Sequence, residues 1–491
     1  MRKTLLILLC LLPFTSFAST IPVHSGDNLQ AALNKAQYGD EIVLDAGASF
    51  TGSFELKEKN GSGTITVRSS AEDKLPEGKR VSPSDSEWMP KIKSPGKNLP
   101  TLTATPGVAG YKIIGIEFTK ASPETFTTNL ISLEGKDITL DRVYAHGDPT
   151  SNLRRCIALN GANLSVTNSY IADCHEHGAD SQAIAGWNGP GPFLIENNYL
   201  EGASENVLFG GADPSIPNLI PSDITIRGNY FFKPLSWKGK GWDVKNLLET
   251  KNAQRVLVEN NVFENSWVEG QTGTAILIKS ANQGGNCPWC QSKDITFKNN
   301  VIKNVVEGLR INGAEGQGQL PPKVTNVKFS GDRFENISGK LFQIFNGASN
   351  ITFENVYGDA EDAILFGDAG NNSTNSGLVI RNSTFTRGKY GVGAGSEEGS
   401  EYLNKWFPSA VFENNTLVNK SGISNDKIKS KYPANTKIDN QVETPSKLPN
   451  LPTETPTPSP TPSLPSFSNQ SPTWLQSYID ELTTWVKSKI P

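Results

Sequence analysis

Val256-Leu257-Val258-Glu259-Asn260-Asn261-Val262-Phe263 is the stretch whose reading decides the fold. It holds a three-residue strand with alternating sides, a polar turn carrying Asn, and an apolar step. The same unit recurs along the chain. Phe193-Leu194-Ile195 precedes Asn198, Ile224-Thr225-Ile226 precedes Asn229, Ile295-Thr296-Phe297 precedes Asn300, and Val411-Phe412 precedes Asn415. Ile138-Thr139-Leu140, Val327-Lys328-Phe329 and Ile351-Thr352-Phe353 fill the same strand slot. A second strand alternates with it, as Ile131-Ser132-Leu133, Ile157-Ala158-Leu159, Leu248-Glu249-Thr250, Ile276-Leu277-Ile278, Leu309-Arg310-Ile311, Phe342-Gln343-Ile344 and Ile364-Leu365-Phe366. Period-two alternation in strands this short marks one buried face. Such strands gain a core only by pairing with their equivalents one repeat later, so the pattern predicts a solenoid of stacked coils. The recurring Asn suits turns that need left-handed backbone and local hydrogen bonds. No helical period runs between the strands, which excludes βαβ folds.

Working outward, the expected architecture is an all-β, single-stranded parallel β-helix of about eleven coils over residues 111–420. Residues 19–110 hold an N-terminal cap and first strands. Asp27–Ala36 has apolar residues at helical spacing, which predicts an amphipathic capping helix. Residues 421–471, rich in Pro, Thr and Ser, read as an extended linker. In residues 472–491, Trp474, Leu475, Tyr478, Ile479, Leu482, Trp485 and Val486 fall near helical spacing, as in a small amphipathic helix suited to cell-surface attachment.

Residues 1–18 read as a signal peptide, with Arg2 and Lys3 ahead of the short apolar run Leu5–Leu12 and a small residue at Ala18. The run is too short to span a bilayer, so the expectation is a secreted monomer, extracellular, periplasmic or at the cell surface, with no transmembrane segment. Its removal takes the formal net charge from −4 to about −6, which argues against a nucleic-acid partner. The four remaining cysteines are an even set in an exported chain. Cys156 and Cys174 bracket one coil, as a disulfide or as two buried thiols. Cys287 and Cys290 read as a local clip rather than a thioredoxin-type pair, since no βαβ unit surrounds them.

The coils, with Glu205–Pro214, Asn229–Pro234 and Lys245–Asn252, resemble the pectin-lyase-like superfamily of right-handed parallel β-helices over residues 20–420, and more narrowly a set of secreted bacterial β-helix repeat proteins. The resemblance implies activity on, or binding to, an extended polysaccharide. Glu176-His177-Gly178 and Leu309-Arg310-Ile311-Asn312 match the polygalacturonase motifs poorly. The branch of chondroitinase B and alginate lyases, with a lysine preceded by calcium ligands and an arginine one coil on, is matched in part by Glu249 and Lys251, with Lys279 in the arginine's place. Calcium is the one cofactor this resemblance allows, and Asn246 stands where that branch has an acid.

Alternation turns Glu249, Lys251, Lys279, Arg310, Asn312 and Gln343 outward. Strands about 4.8 Å apart would align Lys251, Lys279 and Arg310 as a basic track. Taking a proton beside a uronate carboxylate needs a base and positive charge for the enolate-like intermediate. Lys251 is the candidate base, with Lys279 and Arg310 neutralising the carboxylate. This predicts a polysaccharide lyase acting on an acidic glycan by β-elimination. The alternative is a noncatalytic glycan-binding or cell-surface β-helix protein, on which the same residues form a solvated ladder of charges. The interval between Val207 and Leu248 carries Trp237, Lys238 and Trp242, and Trp187 lies upstream. These could wall a glycan groove or simply pack against the coils. His175 and His177 could pair on a metal, but no third ligand stands at a usable spacing.

Overall fold

The computed structural model describes residues 18–367, 374–394 and 396–441. Among them the chain forms three sheets of 14, 13 and 14 strands, in which each strand pairs with its equivalent in the next coil. The first runs from Thr20–Val23 to Val411–Glu413, the second from Phe54–Glu55 to Glu397–Glu398, and the third from Ser49–Thr51 to Lys437–Asp439. Every pairing is parallel except that of Gly391–Ala394 with Glu397–Glu398. The parallel β-helix is therefore as read, and its ladder extends on both sides of residues 111–420. The helix Asn425–Lys429 and the strand Lys437–Asp439 lie inside the span read as linker, so that boundary moves towards the C-terminus. The signal peptide short of Ala18, the rest of the linker and the C-terminal helix lie outside the described residues.

Inward residues stack into one continuous core, with Ile195, Ile226, Val258 and Phe297 superposed by register. Phe297, Phe329 and Phe353 stack with centroids 4.4 and 5.1 Å apart. Each fully buried side chain of this size contributes about 1.5–3 kcal/mol. In the second sheet two consecutive residues turn inward at the start of a strand, as Leu247 and Leu248 do, before strict alternation resumes. The N-terminal helix spans Leu29–Lys35, starts at Asn28, whose side chain accepts from the Ala31 amide, and buries Leu29, Ala32 and Leu33.

The Asn slot works differently from the expectation. The left-handed residues are Asn197, Gly228, Asn260 and Asn299, one position earlier. Asn198, Asn229, Asn261 and Asn300 themselves point inward as a ladder. Asn229 accepts from the Asn198 backbone at 2.9 Å and donates its amide to the Ile195 carbonyl at 2.8 Å. The ladder ends at Asp332, whose carboxyl accepts from Asn300 and whose pKa burial raises to about 7. No helix among the described residues is long and apolar enough to cross a membrane.

Candidate functional site

The second sheet positions the predicted residues. Leu248, Ile276, Leu309 and Phe342 share an inward row, so their successors Glu249, Leu277, Arg310 and Gln343 share an outward one. Lys279, Asn312 and Phe345 form the next outward row. Lys251 follows Thr250, the register partner of Ile278, and so meets Lys279. A third outward row holds Arg155, Gln182, Glu205 and Asn246. Gly210 makes the approach at Lys251 possible: its φ is +105°, and a Cβ there would lie 2.7 Å from that of Lys251.

All three cations thus lie on one face, but they are not a continuous track. Arg310 shares its row with Glu249, with Leu277 between them. Nor are the cations free. Glu249, with its side chain 1% exposed, lies 3.7 Å from Lys251 and 3.1 Å from Lys279. Lys279 also reaches Glu315 at 2.7 Å, and the two carboxylates raise its pKa against the opposing effect of burial. Arg310 pairs with Glu307 at 3.1 Å and donates to the Gln343 side chain at 3.3 Å. Asn312 donates to Glu315 at 2.7 Å.

The flanks also differ from the expected single insertion. Residues 210–221 connect the strands Glu205–Phe209 and Ser222–Arg227, while 233–245 connect Tyr230–Phe232 and Asn246–Thr250, so the long interval is two excursions on opposite sides of the face. Trp237 and Trp242 are not sugar platforms. They are 5% and 4% exposed and pack with Ala203, Val244 and Trp267. Trp242 lies between His175 and His177, each ring 3.8 Å from its own. Burial lowers the His175 pKa to about 3. The two histidines therefore grip the 233–245 excursion rather than a metal. Lys238 stands 5.3 Å over Trp267. On the opposite flank Trp187 is half-buried, with the Arg155 guanidinium 4.8 Å over its ring. Both disulfides form, Cys156 with Cys174 and Cys287 with Cys290.

Lys245 and Glu205 were given no role in the sequence, and Lys233 was read there as part of the groove wall. Lys245 pairs with Asp180 and Asp243. Glu205 is fully buried and accepts from Gln182 at 2.8 Å, and burial with the neighbouring Glu249 raises its pKa to about 8. Lys233, also fully buried, donates to the carbonyls of Gly202, Ala203 and Ser204 and fixes the corner before Glu205. The sequence signal was the outward slot, which Glu205 occupies in its strand. Buried atoms without a hydrogen-bond partner gather here: Glu205 Oε1, Asn246 Oδ1, Arg310 Nε and Gln343 Nε2.

Calcium does not fit these residues. Asn246 donates its amide to the Thr274 carbonyl, and Glu249 is engaged by two ammonium groups, whereas calcium takes six to eight oxygens. Among the described residues no group of three or more His, Cys, Asp or Glu side chains is placed to hold a metal.

Residues 155–357 match the family described as the right handed beta helix region. No curated protein matches the chain in sequence. Among solved structures, a mannuronic acid specific polysaccharide family 6 lyase from human gut microbiota superposes with a TM-score of 0.52 at 11% identity, covering 86% of this chain and 91% of that one. A family 28 exopolygalacturonase of Yersinia enterocolitica matches at 0.42 and 12%, covering 86% and 78%. An alginate lyase of a Paenibacillus matches at 0.41 and 16%, covering 71% and 95%. With the three parallel sheets and the family match, the chain folds as a right-handed parallel β-helix.

Proposed function

We propose that this is a secreted carbohydrate-active protein that binds an extended uronate glycan along the outer face of the second sheet and cleaves it by β-elimination. The observation that carries this reading is that Lys251, Lys279 and Arg310 lie with Asn312 and Gln343 on one outer face, flanked by the two excursions. Cations gathered on one face attract the carboxylates of an acidic glycan. Lys279, kept charged by Glu249 and Glu315, neutralises the uronate carboxylate together with Arg310. Lys251 has Glu249 alone within ion-pair reach among the described residues; in its neutral form it takes the proton beside the carboxylate, the C–O bond breaks as the double bond forms, and the departing oxygen takes a proton from water.

One observation favours a noncatalytic glycan-binding role instead: Lys245, Lys251, Lys279 and Arg310 are each paired with a carboxylate. Incubation with a panel of uronate polysaccharides, followed by ultraviolet absorbance, separates the two. The lyase reading predicts unsaturated products from the wild type and none from Lys251→Ala. Binding without any absorbance rise on any substrate leaves the noncatalytic role.

A further inference from the structure

The two outward rows that hold the polar residues do not end with them. Phe345 continues the row of Lys279 and Asn312, and Phe366 continues the row of Arg310 and Gln343. Both rings stand on the outer face, half-buried, while their neighbours Ile344 and Leu365 fill the core. Their centroids are 5.8 Å apart at 68°, an edge arrangement that presents both an aromatic face and an edge. Lys340 stands 5.3 Å over the Phe366 ring. Next to the pair, Gln343 is 3% exposed and its Nε2 has no hydrogen-bond partner.

Outward phenylalanines gain nothing from the solenoid core. A pyranose, by contrast, has one apolar face of C–H groups that covers an aromatic ring. We infer that Phe345 and Phe366 form a stacking subsite for a pyranose ring of the same glycan. The inference rests on the reading of this face as a glycan track, and it extends the track along the solenoid. From the strand of Glu249 to that of Phe366 there are four strand spacings, about 19 Å, so the occupant is an oligosaccharide of roughly four units rather than one or two.

The test titrates the whole protein by calorimetry with alginate-derived uronate oligosaccharides, from disaccharide to about octasaccharide, and with a matching series of neutral gluco-oligosaccharides. The wild type is expected to gain about tenfold in affinity once the oligosaccharide reaches four or so units. Phe345→Ala and Phe366→Ala lose that gain and bind the disaccharide as before, while Phe345→Trp keeps it. A length dependence unchanged in the alanine variants overturns the subsite and leaves the track standing. Equal loss for short and long oligosaccharides also overturns it, because the rings would then act only through the fold. If neither series binds, track and subsite fail together. Platform-dependent binding of the neutral series alone keeps the subsite and rejects the uronate.

Discussion

Two outer faces of this solenoid are covered by excursions of the chain, and they are finished in opposite ways. On the third sheet, Tyr144, Tyr170, Tyr199 and Tyr230 line up across four coils, with Tyr170 and Tyr199 stacked at 4.2 Å. Leu75, Val81 and Met89 pack over them. The phenol of Tyr199 donates to Glu201 at 2.5 Å, and that of Tyr230 donates to Glu264. On the second sheet the covering loops stand to either side, and the face between them retains unpartnered polar atoms and paired charges. A face completed by apolar packing is part of the fold. A face left polar and incomplete is where a ligand finishes the structure.

Substitutions on the two faces break or sharpen this contrast. The largest stability effect falls on the tyrosine face: Tyr199→Ala should cost about 3–5 kcal/mol in chemical denaturation, with glycan affinity retained by the folded fraction. Next comes the acid beneath it. Glu201 is buried, and burial with Asp173 nearby raises its pKa to about 8. The folded value lies above the unfolded one, so the folded state holds a proton that the unfolded state releases. Stability is then lost as pH rises from about 4 through about 8. Glu201→Gln should remove that slope and gain on the order of 2–4 kcal/mol at the alkaline end, measured by denaturation at several pH values. Gln343→Ala, on the second sheet, should change stability by about 1 kcal/mol or less while weakening glycan binding. The smallest effect is expected at Lys238→Ala, within about 0.5 kcal/mol on stability, because its cation sits over Trp267 at the rim.

Much of this was legible in the chain because inward residues must alternate. Ile276-Leu277-Ile278 and Ile224-Thr225-Ile226 declare themselves without knowledge of their partners, and the N-terminal helix carries both its spacing and its Asn28 cap. The row assignment was also in the chain, although the reading of one aligned basic track overlooked it. Arg310 comes one residue after Leu309, whereas Lys279 comes three after Ile276, so the two occupy different outward rows. Pairing, however, was not visible. Glu249 holds two lysines from adjacent coils, and Glu315 reaches back to Lys279 because of a register shift after that residue. The tryptophans misled for a similar reason: Trp242 is buried by histidines far earlier in the chain. The Asn slot of the ladder was legible, but the left-handed residue sits one position earlier because consecutive asparagines divide the work, Asn260 taking the left-handed turn and Asn261 the hydrogen bonds.

The central claim is that the second-sheet face, and not the tyrosine face, receives the glycan. It is tested most directly by measuring the affinity of one uronate polysaccharide for the wild type, for Arg310→Ala with Gln343→Ala, and for Tyr170→Phe, all under one salt condition. The account predicts at least about a tenfold loss in the second-sheet double variant and an unchanged affinity in Tyr170→Phe. Equal affinities for all three proteins, or a loss confined to Tyr170→Phe, would contradict it.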